Sequence, residues 1–246
     1  MKVLAHRGIH HHAFENSLQA FKATQQAPVD GVELDIRLSK DGKVIVFHDE
    51  DLNRLFGEDV KIANLTHTQI NVIASQNAMI VPSLKEIFEL LLKDSVINVE
   101  IKEPEVVFPL IDMLKANDYP LENLIFSSFI HNTLPPIRDA LTGAKIGLLI
   151  GSEAETVSKP MDYIMSSMLK FDPYSLHLPI QAFEKLDTEI LVKALTQMKD
   201  SSQTQYAWWT VNTATQLAPL LLHPKITDYI ITDNPEMIIN TLNNGE

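Results

Sequence analysis

Short runs of alternating or wholly apolar residues recur along the chain, separated by stretches with helical spacing. The runs Val3–Ala5, Val32–Arg37, Val44–Phe47, Val96–Ile101, Leu124–Ser127, Lys145–Leu149, Tyr174–Leu178, Tyr206–Val211 and Tyr229–Thr232 are predicted strands. Asn16…Gln19, Thr66…Gln69, Ser83…Glu86 and Thr213…Gln216 each pair an N-cap residue with Glu or Gln three positions on, a mark of helix starts. Leu84, Ile87, Phe88, Leu91 and Leu92 follow the third of these at the spacing of one helix face. Strands alternating with helices imply parallel pairing, because each parallel step needs a crossover.

One pair breaks that rhythm. Only Leu38 to Lys43 separate Val32–Arg37 from Val44–Phe47, too few residues for a crossover, and Asp41-Gly42 favours a tight turn. The pair therefore reads as an antiparallel hairpin, with Arg37 opposite Lys43 or Val44 and Glu33 roughly opposite His48. Eight βα strands remain, which predicts an α/β fold: a TIM (β/α)8 barrel with a β-hairpin addition after strand 2 and a short insertion over 51–81. The length of 246 residues suits it, since about 250 is typical of that barrel. No Gly-x-Gly-x-x-Gly follows the first strand, which disfavours a doubly wound dinucleotide-binding sheet. No Gly/Ser- or Pro-rich linker divides the chain, so 1–246 reads as a single domain.

Composition narrows the function. Acidic residues number 32 and basic ones 20, a net charge of −12 that opposes binding to nucleic acid or to an anionic membrane surface. With no cysteine, disulfides, thiolate catalysis and Cys-ligated metals are excluded. The opening Met-Lys-Val-Leu-Ala-His-Arg-Gly lacks the apolar core of a signal peptide, and no run of about 18 apolar residues occurs. A soluble cytoplasmic protein is expected.

Strand periodicity then sorts the charged residues. Glu33, Asp35 and Arg37 share one strand face, as do Asn98, Glu100 and Lys102. An isolated Glu-x-Asp-x-Arg strand fits the solvent face of an antiparallel sheet equally well. A second strand ending Glu-x-Lys, and His6-Arg7-Gly8 after the first, point instead to a barrel mouth. Three carboxylates without cysteine suit Ca²⁺ or Mg²⁺. Arg7 and Lys102 suit an anionic group such as phosphate, and His6 and His48 are natural proton-transfer groups. For His48, a loop histidine with Asp49 as its local partner is the competing assignment.

These residues together resemble the glycerophosphodiester phosphodiesterase family, metal-dependent barrels of the phospholipase C-like phosphodiesterase type. The resemblance runs through Ala5-His6-Arg7-Gly8, Glu15-Asn16-Ser17, Gly31 to Gly42, Val46-Phe47-His48-Asp49, Pro82-Ser83-Leu84, Asn98 to Lys102, Ser127-Ser128-Phe129, Trp209-Thr210-Val211-Asn212 and Ile231-Thr232-Asp233-Asn234-Pro235. It implies that Glu33, Asp35 and Glu100 hold one divalent cation, and that His6 and His48 form the acid–base pair, with His6 favoured as base and His48 as acid. Arg7 and Lys102 would bind the phosphodiester, Glu15 would support the first loop, and Trp209 would wall the glycerol or leaving group. The implied reaction is hydrolysis of glycerophosphodiesters to sn-glycerol 3-phosphate and an alcohol. No nucleic acid or stable membrane association is expected, and a homodimer is compatible with the sequence. Phe14 stands where the family usually has proline, and His10, His11 and His12 are unusual there and read as solvated loop residues. Asn16 reads as a helix N-cap, and His177 ends a strand from which it could face the mouth. A phospholipase D-like or sphingomyelinase D-like lyase shares the His, Glu-x-Asp, His arrangement, but those relatives are secreted and carry disulfides. A non-catalytic phosphoryl-ligand-binding barrel would need neither histidine.

Overall fold

The computed structural model describes residues 1–91, 95–151 and 160–244. Leu92, expected on a helix face, lies outside the described residues. The strands are β1 (Lys2–His6), β2 (Gly31–Leu38), β3 (Val44–Val46), β4 (Asp51–Leu52), β5 (Glu58–Lys61), β6 (Val96–Ile101), β7 (Leu124–Ser128), β8 (Lys145–Leu149), β9 (Ser175–Pro179), β10 (Gln205–Trp209) and β11 (Tyr229–Thr232). All pairings from β1 through β11, β10, β9, β8, β7, β6 and β2 are parallel, and β2 pairs again with β1. That closes the predicted (β/α)8 barrel. Closure leaves no free edge and points alternate side chains inward.

Outward residues such as Val32, Leu34, Ile36, Ile97 and Val99 pack with Leu84, Ile87, Phe88 and Leu91 of the helix Leu84–Leu91. Inward residues Leu4, Ile125, Ala207, Tyr229 and Ile231 form a separate apolar cluster within the barrel. The capping pairs hold at Thr66/Gln69 and Thr213/Gln216, where both reciprocal bonds form, and Ser83 and Glu86 exchange the same two contacts. At the first helix, Leu18–Gln25, the cap is Ser17, whose hydroxyl accepts from Ala20 N; Asn16 is not the cap. It lies one residue too early, is buried, and turns its amide to Asp35 instead.

β3 adds to β2 antiparallel, as expected, but in a shifted register: Arg37 faces Ile45 and Leu38 faces Val44. Ser39 explains the shift. Its N–H donates to Lys43 O, its hydroxyl accepts from Lys43 N, and Gly42 takes φ 75°, so the loop closes over Ser39 to Lys43. Glu33 therefore does not face His48 across the hairpin. The segment 51–81 holds the small β4–β5 hairpin and the helix His67–Ser75, which share a cluster of Leu52, Ile62, Ile70, Ala74 and Met79 with Ile45 and Phe47. Among the described residues no helix is long and apolar enough to cross a membrane.

Candidate active site

Register brings the acids together. Asp35 pairs with Glu100 and Glu33 with Asn98 across β2 and β6, while His6 on β1 pairs with Glu33. Oxygens of Glu33, Asp35 and Glu100 lie within 4.8 Å of one another, and all three residues are buried. Burial and the neighbouring charges of Asp35 and Glu100 push the Glu33 carboxyl well above its usual range. Burial and Asp35 push Glu100 up to about 7. For Asp35, burial acts upward, but Arg7 and Lys102 overcome it and hold the carboxyl below its usual value. Asn16 Nδ2 donates to Asp35 Oδ2 at 2.8 Å, and Arg7 Nε stands 3.3 Å from the same oxygen. The other oxygen, Oδ1, accepts no hydrogen bond, with Lys102 Nζ at 3.4 Å. Two of the three crowded carboxylates, Glu33 and Glu100, favour protons, and one buried Asp35 oxygen accepts no hydrogen bond; a hard divalent cation would relieve both. The cluster is consistent with a divalent-metal site.

Two imidazoles border the same cavity, whose lining includes His6, His48, Glu33, Glu100, Arg7 and Lys102. His6 Nδ1 is 2.6 Å from Asp233 Oδ1, and its Nε2 is 3.7 Å from Glu33 Oε2. Asp233 is held in turn: Asn212 Nδ2 donates to it at 2.6 Å, and Asn212 Oδ1 accepts from Asp233 N at 2.8 Å. Burial opposes the Asp233 charge, yet the contact with His6 and the Asn212 bond hold its carboxyl down at about 2. His48 Nδ1 is 2.7 Å from Asp49 Oδ1, and Arg37 Nε donates to His48 O at 2.9 Å. Burial lowers the His48 imidazole, Asp35 opposes this, and Arg7 and Lys102 add to the lowering. A carboxylate at Nδ1 of each ring leaves Nε2 free for proton transfer.

Arg7 and Lys102 carry the positive charge. Lys102 Nζ donates to Glu100 at 2.6 Å and stands 6.0 Å from the Phe129 ring centroid. Phe129 meets Trp209 edge to face at 5.6 Å; both line the cavity, and Trp209 Nε1 is buried without a partner. Arg7 (φ 56°) and Asn16 (φ 55°) both hold left-handed backbone, and Asn16 N donates to Arg7 O at 2.9 Å. Such conformations cost about 1 kcal/mol or more each and cluster at functional sites. Glu15 stands behind Arg7, bound by Arg7 NH1 at 2.8 Å and by Arg54.

Some participants escaped the sequence reading. Asp233 lay within a recognised motif without a role, because no local pattern ties a residue to a partner 227 positions away. Asn212 likewise lay within a recognised motif without a role, and Arg54 gave no signal. His10 is half-buried rather than merely solvated, with Nδ1 2.9 Å from Gly8 O and Nε2 3.9 Å from Asp233. His177 does not line the mouth: it is buried inside the barrel, 2.9 Å from Ser175 Oγ.

A model of the glycerophosphoryl diester phosphodiesterase family matches residues 6–237. A glycerophosphodiester phosphodiesterase of Caldanaerobacter subterraneus subsp. tengcongensis is 30% identical over 258 residues, covering 99% of this chain and 98% of that protein. Among solved structures, the glycerophosphodiester phosphodiesterase of Thermotoga maritima is similar with a TM-score of 0.83 at 37% identity, across 98% of both chains. A phosphodiesterase of Oleispira antarctica, solved in complex with the product sn-glycerol-3-phosphate, shares the fold with a TM-score of 0.79 at 22% identity, over 99% of this chain and 97% of that one.

Proposed function

This chain belongs to the glycerophosphoryl diester phosphodiesterase family, and from that premise we propose that it hydrolyses glycerophosphodiesters such as glycerophosphocholine and glycerophosphoethanolamine to sn-glycerol 3-phosphate and an alcohol, with His6 and His48 as the proton-transfer pair. The observation that carries the reading is the pairing of two aspartate-anchored imidazoles around one cavity above three buried carboxylates.

In this reading Glu33, Asp35 and Glu100 hold Ca²⁺ or Mg²⁺, since all donors are oxygen. The bound cation supplies positive charge against a phosphate oxygen. Arg7 and Lys102 receive the phosphodiester and offset charge that develops on it. His6, its ring steadied by Asp233, removes the proton from the nucleophile, which is either water or the glycerol 2-hydroxyl; in the second case water then opens the cyclic phosphate to sn-glycerol 3-phosphate. His48 gives its proton to the departing alkoxide. Burial with Arg7 and Lys102 nearby loosens the hold of that ring on its proton. Phe129 and Trp209 wall the glycerol or the leaving group. The absence of cysteine fits work in a reducing cytoplasm.

A leaving-group comparison tests the assignment. With glycerophosphocholine, His6→Ala and His48→Ala are each expected to lose about 10²-fold or more in kcat while staying folded. With a nitrophenyl glycerophosphate, whose leaving group needs no proton, His48→Ala is expected to recover most of its rate and His6→Ala not. The reverse pattern exchanges the two roles, and wild-type rates remove the histidines from the mechanism. A cyclic glycerophosphate as the sole product would make the enzyme a lyase.

A further inference from the structure

A short helix, Asn53–Phe56, sits in the inserted segment between β4 and β5 and ends at Gly57 in the left-handed conformation, φ 73°. Its Arg54 side chain is about half exposed, and an exposed ion pair is ordinarily worth little. Its two partners are not exposed in that way. Arg54 Nε donates to Asp49 Oδ2 at 2.6 Å, while NH2 and NH1 donate to the Glu15 carboxylate at 2.5 and 3.2 Å. Each carboxylate already serves a residue at the cavity. Asp49 Oδ1 is 2.7 Å from His48 Nδ1, and Glu15 Oε1 accepts from Arg7 NH1 at 2.8 Å. Alternating charges therefore run His48, Asp49, Arg54, Glu15, Arg7 and Asp35.

The same helix grips the same two loops through apolar contact. Phe56 lies 6.2 Å from the Phe14 ring, just before Glu15, and 6.3 Å from the Phe47 ring, just before His48. Phe14 stands where the resemblance leads one to expect proline. The first loop of this chain thus meets the inserted helix through an aromatic ring on one side of the clamp and a carboxylate on the other.

We infer that Arg54 is a positioning residue: one guanidinium fixes the His48 ring and the Arg7 guanidinium relative to each other across two loops. The inference rests on the roles proposed above for His48 and Arg7. A planar fork holds both carboxylates in a fixed mutual geometry through three N–H groups, whereas an ammonium attracts them as a point charge without fixing their orientation. Loss of Arg54 leaves Asp49 and Glu15 each with a single charged side-chain partner and frees both loops to shift, and misplacement on the scale of 1 Å can cost about 10²-fold in rate.

The test measures kcat/KM of the divalent-loaded enzyme with glycerophosphocholine. Arg54→Ala is expected to fall about 30-fold while its melting temperature drops by only a few degrees. Arg54→Lys is expected to recover part of the loss, and free guanidinium ion at non-denaturing concentration to rescue Arg54→Ala but not His48→Ala. The double variant Arg54→Ala/Asp49→Asn should lose less than the product of the single losses, since both break one chain. Lys61→Ala, which removes an exposed ion pair with Glu50 on the same hairpin, should keep the wild-type rate. Near-wild-type kcat/KM in Arg54→Ala beside an impaired His48→Ala overturns the inference alone. A loss that guanidinium cannot rescue and that adds independently to Asp49→Asn makes Arg54 merely structural, and overturns it too. Wild-type activity in His48→Ala overturns the reading beneath it.

Discussion

Several side chains around the cavity are held by neighbours that lie outside the proposed chemistry. Asp233 and Asp49 orient imidazoles, Asn212 orients Asp233, and Asn16 fills one lone pair of Asp35. Asn16 accepts a left-handed backbone to reach it. His177 shows the same logic turned to stability. It is wholly buried, and burial pushes its imidazole down to about 3. Gly147 makes room for the ring, because a Cβ there would stand 2.6 Å from His177 Nε2. In the unfolded chain the ring has its ordinary value of about 6.5. Below that pH the unfolded state binds a proton that the folded state refuses, so the stability present above about 6.5 is lost as the pH falls towards 3. The loss is about 1.4 kcal/mol per pH unit. Urea denaturation from pH 7 to pH 4 should show wild type losing its advantage over His177→Leu on acidification; a difference independent of pH would contradict the buried neutral ring.

Elements place these residues by register, and register depends on features of different legibility. Gly31 starts β2 where a Cβ would lie 1.9 Å from Val96 O and within 3 Å of two further backbone atoms of Val96. Backbone cannot yield as a side-chain tip can, so Gly31→Ala should cost about 3 kcal/mol in chemical denaturation. A change below about 1 kcal/mol would mean that β2 and β6 can part there without harm. The eight parallel strands were readable from the chain because two-residue alternation and capping pairs are local signals. Three of them, β6, β8 and β11, begin and end where the apolar runs do. The acids were readable for the same reason: Glu33 and Asp35 are two apart on one strand, and Glu100 and Lys102 on or beside another. The hairpin was readable but its register was not, since that depended on which atoms Ser39 bonds. β4 is only two residues long, too short to show any period. The roles of Arg54 and Asp233 were not legible locally, because the contacts to Glu15 and His6 that define them span 39 and 227 positions.

At the scale of the molecule, closure of the barrel converges these strand ends on one mouth. The net charge of −12 would repel an anionic diester at long range. Within the mouth the sign is local. Arg7 and Lys102 lean on Asp35 and Glu100, and a divalent cation among the three acids would leave that wall attractive to phosphate. The enzyme should therefore depend on a divalent ion for both charge balance and turnover. The most direct measurement is release of sn-glycerol 3-phosphate from glycerophosphocholine by chelator-stripped enzyme, before and after Ca²⁺ or Mg²⁺ is added, beside Asp35→Asn. Wild type should be inactive in chelator and recover with at least one of the two ions, while Asp35→Asn should not recover at the same concentrations. Full activity in chelator, or no glycerol 3-phosphate with either ion, would contradict the account.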